Sequence, residues 1–207
     1  MAYTTIDKSS LHFNTKLWTG NATNSTAITG VGFQPDFVWI KNRSTTANHN
    51  LFDAIRGATY RVYSDDTSAQ VQATDSLASF DSDGFTLNNG SPCNGSGNSV
   101  VGWNWKANGQ GSANTDGSIN TTYTSANTTS GFSISTYTGT GSAGTIGHGL
   151  GAVPSIVLCK NTSTTSNWEM YHSSIGAGGQ ITLNNTNAEG NDGGILWNST
   201  APTSSLF

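Results

Sequence analysis

Two related stretches decide the fold: Gly30-Val-Gly-Phe-Gln-Pro-Asp-Phe-Val-Trp-Ile-Lys-Asn42 and Gly149-Leu-Gly-Ala-Val-Pro-Ser-Ile-Val-Leu-Cys-Lys-Asn161. Each begins with a Gly-x-Gly-x-x-Pro turn, continues as a run of apolar residues and ends on Lys-Asn. Glycine and proline at this spacing favour turns, and a short apolar run bounded by turn residues indicates a strand buried on both faces. We therefore expect residues 36–41 and 155–160 to form strands at the centre of a sheet.

The two stretches belong to a longer internal repeat. Residues 13–57 align with residues 132–176 at a constant offset of 119 without a gap, and 15 of the 45 positions are identical. Chance matches in a Thr- and Ser-rich chain would not align a glycine–proline turn, an apolar run and Lys-Asn in one register. The repeat therefore predicts an internal duplication of one structural module.

Composition indicates an all-β chain. Gly, Ser, Thr and Asn make up half of the 207 residues, and all four are poor residues for the interior of a helix. Further strands are expected at 12–18, 59–63, 84–87, 99–105, 132–138, 180–183 and 194–197, and one short helical turn at 50–56. We expect two tandem β-sandwich-like, jelly-roll-type modules. The first covers residues 1–107, the second covers residues 131–207, and residues 108–130 form a linker between them.

The second copy is expected to be incomplete. Ser205-Leu206-Phe207 stands where the first copy has Asp83-Gly84-Phe85, and the first copy then continues to Val100, Val101, Trp103 and Trp105, which we expect in or beside its core. A sheet that lacks a strand exposes backbone groups and an apolar face. We expect the strand to come from polypeptide beyond Phe207, from a neighbouring subunit, or from the first copy's 99–106 strand or the linker.

Charge and cysteine content exclude several classes of function. The chain has 8 Lys and Arg against 12 Asp and Glu, a net charge of -4, so it lacks the cations to follow nucleic-acid phosphates. The longest apolar run, 156–159, is too short to cross a membrane, and residues 1–10 do not resemble a secretory signal. Cys93 and Cys159 fall at non-equivalent places in the two copies, so we expect them to be reduced and unpaired.

Motifs for catalysis and cofactors point to no enzyme. The sequence contains no nucleophile elbow, no zinc-protease motif and no paired-glutamate signature, so we expect no catalytic residue, cofactor or metal. Gly139-Thr-Gly-Ser-Ala-Gly144 matches a dinucleotide-binding pattern, but the glycine-rich residues after it cannot open a helix. Asp81-Ser-Asp83-Gly84 resembles the start of a calcium loop, but the residues after it lack the further oxygen ligands and the Glu of such a loop. Asp-Gly before a strand is ordinary turn chemistry, and the question of an ion stays open.

Aromatic residues are the remaining candidates for binding. Most are expected to belong to the core, but exposed aromatics beside Asn also hold sugar rings by stacking and hydrogen bonding. Trp168 replaces His49 at the edge of a Thr-Thr-x-Asn loop, and we expect it to be an exposed platform. The predicted glycan contacts are therefore Trp168 and Asn167 in the second copy and His49 and Asn48 in the first.

Several motifs together resemble a known family. They are Leu17-Trp-Thr-Gly-Asn21, Phe52-Asp-x-x-Arg-Gly57, Ser82-Asp-Gly-Phe-Thr-Leu87, Trp103-Asn-Trp-Lys106 and the Ile28–Arg43 stretch that contains the first quoted segment. As a set they are similar to a repeated domain in virion proteins of tailed phages, notably phages of marine bacteria. The resemblance covers almost the whole chain and implies a particle component without defined catalytic or binding residues.

The resemblance does not decide where in the phage particle the protein lies, and two locations are considered. The leading hypothesis is a tail fibre, spike or related adsorption device that contacts host surface glycans, and the alternative is a capsid decoration or head-fibre protein. Either would be assembled in the host bacterial cytoplasm, would contact other virion subunits and would commonly be a homo-oligomer. A carbohydrate-binding module or hydrolase is the third hypothesis and the least favoured.

Overall fold

The computed structural model describes residues 6–191 and 193–207, and strands dominate it. The strands are β1 Phe13–Thr19, β2 Thr26–Thr29, β3 Phe37–Asn42, β4 Asn50–Asp53, β5 Tyr60–Tyr63, β6 Val71–Gln72, β7 Leu77–Asp81, β8 Gly84–Leu87, β9 Ser99–Trp105, β10 Thr121–Asn127, β11 Phe132–Tyr137, β12 Ile156–Lys160, β13 Trp168–His172, β14 Gly179–Thr182 and β15 Gly190–Asn191. In the part of the chain that the structure describes, helical structure is confined to a 3-10 turn at Ser9–Leu11 and the single-turn helix α1 at Ser91–Asn94. The predicted all-β class is confirmed.

The chain divides into two compact units. Within the described residues, the first unit runs to Tyr63 and from Gln70 to Gly109, and the second comprises Ser64–Ala69 and Gln110–Phe207. The first unit contains a six-stranded antiparallel sheet in the order β1-β9-β3-β4-β5-β6 and a three-stranded sheet in the order β2-β8-β7. The second unit contains the sheets β12-β13-β14-β15 and β10-β11.

Side chains from both sheets of the first unit share one core. Its buried members are Ile28, Val38, Ile40, Phe52, Leu77, Phe85, Leu87, Cys93 and Val100. Trp18 packs against this cluster edge-on to Phe85, and its indole N–H donates to the Cys93 carbonyl at 3.0 Å. The predicted burial of Val100 in the core is confirmed. Val101, Trp103 and Trp105 lie on the opposite face of the sheet, where Val101 is buried and the two tryptophans are half-buried.

The two units share a strand register. Every residue pair between successive strands of β3 to β6 maps onto a pair between successive strands of β12 to β15 when 119 is added to both numbers. Val38, for example, lies opposite Phe52, and Val157 lies opposite Tyr171. The offset that aligns the sequence therefore also aligns four consecutive strands and their pairing.

The outer side of β12 marks the main difference between the units. In the first unit β9 is inserted between β1 and β3, whereas β12 is the edge of its sheet. The prediction that 155–160 is a central strand buried on both faces is therefore wrong: Ile156 is 53% and Leu158 41% exposed. An apolar run predicts a strand from local pattern, but burial depends on neighbours that lie elsewhere in the chain.

Three further predictions are corrected. The stretch 108–130 is more than a linker, because β10 within it pairs with β11 along its length. Residues 50–53 form strand β4 rather than a helical turn, since they complete the register with β3. Residues 194–197 form turns instead of a strand, and the positive φ values of Gly193 and Gly194 (72° and 81°) reverse the chain there.

Candidate functional site

Five aromatic residues line the outer face of the six-stranded sheet. Because successive side chains of a strand alternate between faces, the odd-numbered residues of β1, β3 and β9 lie opposite the core side. The register places Phe13, Trp105 and Phe37 in one row across three strands, and Trp103 and Trp39 in the next row. We call these five residues the aromatic strip.

The rings of the strip contact one another across the strands. Phe13 and Phe37 flank Trp105 with ring centroids 4.8 and 5.3 Å away, and the Trp39 and Trp103 centroids are 6.3 Å apart. All pairs are tilted or edge-to-face, the arrangement that aromatic quadrupoles favour. Phe13 is 36% exposed and the other four rings are half-buried, so the strip is a continuous aromatic surface partly open to solvent.

Two of the predicted glycan contacts lie at this strip. The His49 ring stands edge-on to Trp39 with centroids 5.8 Å apart, and the Trp39 indole N–H donates to His49 Nδ1 at 2.8 Å. This bond requires an unprotonated Nδ1. Asn48 precedes His49 in the chain and is exposed. The structure therefore places one predicted pair, His49 and Asn48, at the end of an aromatic surface.

The other predicted pair, Trp168 and Asn167, lies in the second unit, and only Asn167 is exposed. Trp168 is only 7% exposed, so the prediction that it forms an exposed platform is wrong. It is the first residue of β13, opposite Lys160 of β12, and its backbone N–H donates to Asn184 Oδ1 at 2.7 Å. Burial removes the large apolar area of the indole ring from water, which lowers the free energy of the folded chain. Asn167 remains exposed and accepts a bond from Asn184 Nδ2 at 3.1 Å.

The loops that carry Asn48 and Asn167 are braced in the same way. In the first unit Asn42 Oδ1 accepts the backbone N–H groups of Ser44 and Thr45 at 2.9 and 3.1 Å. In the second unit Asn161 Oδ1 accepts the equivalent groups, those of Ser163 and Thr164, at 2.9 and 3.2 Å.

A lysine side chain donates a hydrogen bond to a backbone carbonyl in each of these loops. Lys41 Nζ donates to the Ala47 carbonyl, and Lys160 Nζ donates to the Ser166 carbonyl at 2.8 Å. The repeated Lys-Asn-x-Ser-Thr-Thr sequence is thereby explained as the internal bracing of a loop. The two Thr side chains of each loop are exposed at its surface.

The acidic turn at Asp81–Asp83 has protein partners for its carboxylates. Asp83 accepts the backbone N–H groups of Gly32 at 2.6 Å and Gly30 at 2.9 Å, and these bonds hold its pKa below the usual value. Asp81 accepts bonds from the hydroxyls of Ser79 and Thr86 at 2.8 and 2.7 Å. Among the described residues no group of three or more His, Cys, Asp or Glu side chains could hold a metal ion.

The second unit has a cleft of about 490 Å³. Tyr137, Cys159, Glu169 and Trp197 lie on its walls, with the glycine-rich loop 139–144 at one side. Burial raises the pKa of the Cys159 thiol to about 11 and that of Tyr137 to about 12. The Trp197 Nε1 atom is buried without a hydrogen-bond partner.

Positions in the first unit explain the cleft. The residues that correspond to Tyr137, Cys159 and Glu169 at the offset of 119 are Trp18, Ile40 and Asn50. Ile40 and Asn50 are fully buried there, and Trp18 packs on the core. Positions that line the cleft in the second unit therefore correspond to positions that are buried or packed on the core in the first.

The sequence identifies the family of this antiparallel all-β protein. The family described as Domain of unknown function (DUF7483) matches residues 8–207, and the chain belongs to that family. No curated protein and no solved structure matches the chain. None of the helices described is long and apolar enough to span a membrane.

The aromatic strip was not predicted from the sequence. Its signal was the apolar residues at alternate positions in three separate segments, around Phe13, Phe37 and Trp103. That alternation indicates a common face within each strand. It does not indicate that β9 pairs with both β1 and β3, which is what joins the rings into one surface.

Proposed function

We propose that this protein is a non-enzymatic structural component of a tailed-phage particle, in a tail fibre, spike or related adsorption device that contacts host surface glycans. The observation that carries the glycan part is the aromatic strip with His49 and Asn48 at its end. The position in a particle rests on the resemblance of the sequence motifs to virion proteins. The abundance of Thr, Ser and Asn and the low charge of the chain suit contact with neutral sugars.

The chemistry of the strip suits an extended saccharide. Apolar C–H faces of sugar rings stack on aromatic rings, while hydroxyls need amide or hydroxyl partners at the rim. Asn48 and the exposed hydroxyl of Thr15, which lies in the same row as Trp103, provide such groups. An open surface across three neighbouring strands suits a chain of sugars better than a single enclosed sugar.

We further propose that the two units are copies of one duplicated jelly-roll-type module. The shared register of β3–β6 and β12–β15 supports this, as does the repeated bracing of the two Thr-rich loops.

A capsid decoration or head-fibre protein is the second candidate, and the open sheet edge at β12 favours it because such an edge suits contact between subunits. Gold-labelled antibody against the protein, applied to intact virions, separates the two. Label on the tail or its fibres supports the adsorption hypothesis, and label on the head contradicts it. Absence of the protein from purified virions contradicts both.

Binding to an array of bacterial surface polysaccharides tests the glycan contact. Phe13→Ala and Trp103→Ala should each weaken binding at least tenfold, because each removes a ring from the strip. The matched control is Tyr123→Ala, which removes an aromatic ring of similar exposure from β10 in the second unit and should leave binding unchanged. Thermal melting verifies that each variant is folded. Equal binding by wild type and Phe13→Ala would contradict the proposed strip.

A further inference from the structure

Among the described residues, no strand pairs with the outer edge of β12, whereas the equivalent edge of β3 has a partner strand. Six residues of β3, Phe37 to Asn42, pair antiparallel with β9. Since β12–β15 repeat the register of β3–β6, the outer side of β12 corresponds to the side of β3 that β9 occupies. In the first unit the equivalent edge is thus covered by an extended strand that runs antiparallel.

The edge also lacks the usual protection against strand addition. Natural edge strands carry inward-pointing charges, prolines or bulges that prevent further pairing. The β12 sequence is Ile-Val-Leu-Cys-Lys, and its register with β13 is free of bulges. Its one charged residue is Lys160. The Lys160 Nζ atom donates to the carbonyls of Thr67 at 3.0 Å and Ser166 at 2.8 Å, so these bonds occupy the ammonium group.

We propose that β12 pairs with β12 of a second copy of this chain, antiparallel and about a two-fold axis through Leu158. This occupant fits because a two-fold axis perpendicular to β12 relates two identical strands that run antiparallel, which is the direction that β9 shows against β3 in the first unit. The chain's own β9 is excluded as the donated strand, since β1 and β3 hold it on both sides. The pairing joins two four-stranded sheets into one continuous sheet of eight strands.

The residues that meet in this dimer are compatible. With the axis through Leu158, Leu158 lies opposite Leu158 of the partner subunit, and Val157 opposite Cys159 of the partner subunit. No like charges face each other, because Lys160 lies opposite Ile156 of the partner subunit. The exposed surface of Ile156 and Leu158 is removed from water, and Val153, exposed two residues before β12 begins, adds to the contact.

The size of the contact sets its strength. A stable dimer interface covers about 800 Å² on each partner. A five-residue edge with its flanking apolar side chains is smaller than that. Association is therefore weak and depends on concentration, and it strengthens where many copies are held side by side.

Sedimentation equilibrium of the full chain over a hundredfold range of concentration provides the first test. The wild type should shift from monomer to dimer, and Leu158→Lys should remove the shift by placing two ammonium groups together on the axis. The matched control is Leu17→Lys, a change of an exposed leucine on β1, the edge strand of the other sheet, and it should dimerise like the wild type. A wild type that stays monomeric at every concentration, or equal effects of both variants, would overturn the proposal.

Cross-linking gives a second readout that does not depend on a destabilising change. Directly opposed residues in an antiparallel pair have Cα atoms about 4.5–5.5 Å apart, within the range of a disulfide. Leu158→Cys should therefore form a covalent dimer under mild oxidation, while wild type and Leu17→Cys should not. A monomeric wild type that binds a peptide of residues 99–105 would show that a different strand covers the edge, and would equally refute the β12 pairing.

Discussion

The ion pair between Asp53 and Arg56 provides the sharpest test of the energetics of the first unit. Arg56 Nε lies 2.5 Å from Asp53 Oδ2, and the two side chains are only 10% and 5% exposed. The Arg56 backbone N–H donates to Asp53 Oδ1 at 2.8 Å. The guanidinium also donates to Gln70 Oε1 at 3.0 Å and to the Leu51 carbonyl at 3.3 Å, so each of its three nitrogens has a partner.

Removing one partner leaves the other as a buried and uncompensated charge. The expected loss for Asp53→Ala or Arg56→Ala is about 3–5 kcal/mol in the free energy of unfolding. For a unit of this size, a loss of about 3 kcal/mol lowers the melting temperature by about 12–24 °C. Removing both charges together should cost far less than the sum of the single changes, because an apolar replacement needs no charged partner.

The residues at the equivalent positions of the second unit suggest a double variant of the first. It has His172 and Ile175 at the equivalent positions, where His172 Nδ1 accepts the Ser174 backbone N–H at 3.1 Å. We expect Asp53→His/Arg56→Ile to be at least about 2 kcal/mol more stable than the sum of its single variants predicts. Urea unfolding followed by near-UV circular dichroism measures this, with the exposed residue Arg43→Met as the control for loss of a surface charge. Single losses below about 1 kcal/mol, or strict additivity, would refute the reasoning.

Asp83 and the two cysteines yield predictions of pH dependence and reactivity. The lowered pKa of Asp83 means that its carboxylate stabilises the Gly30–Gly32 turn above the ordinary pKa and loses this effect as pH falls through the lowered value. The wild type should therefore lose more of its melting temperature than Asp83→Asn on acidification below about pH 4, and parallel curves would contradict this. Burial raises the pKa of Cys93 to about 12 and of Cys159 to about 11, so native protein at pH 8 should react slowly with iodoacetamide. Mass spectrometry should find both thiols labelled quickly only in urea, and a fast-reacting native thiol would argue against the burial of one of them.

Patterns within short segments of the sequence predicted most of the strand positions. The segments 84–87 and 99–105 coincide with β8 and β9, and the expected first strand at 12–18 lies within one residue of β1. Turn chemistry was equally informative, since Gly30 and Gly32 adopt positive φ values of 77° and 89° that other residues rarely adopt. These features follow from residues close together in the chain, which is why the sequence suffices to find them.

The candidate site was predicted only in part. His49 and Asn48 lie at the aromatic strip, but Trp168, chosen as an exposed platform because it replaces His49, is buried in β13. The choice compared residues at one aligned position, whereas exposure depends on what covers the position in each unit. Burial of a tryptophan is a property of its surroundings rather than of its own segment.

By itself the sequence determined the all-β class, the positions of most strands and the 119-residue offset, because turn residues, alternation and repeated motifs act over a few residues. Only the tertiary structure decided which strands are neighbours. It placed β9 between β1 and β3, and this joins Phe13, Trp105 and Phe37 into one surface although Phe13 and Trp105 are far apart in the chain. The same placement leaves β12 at an edge, although its apolar run resembles that of β3. Pairing between distant strands is set by the packing of the whole unit, since the backbone groups of any strand can bond equally well to those of many others.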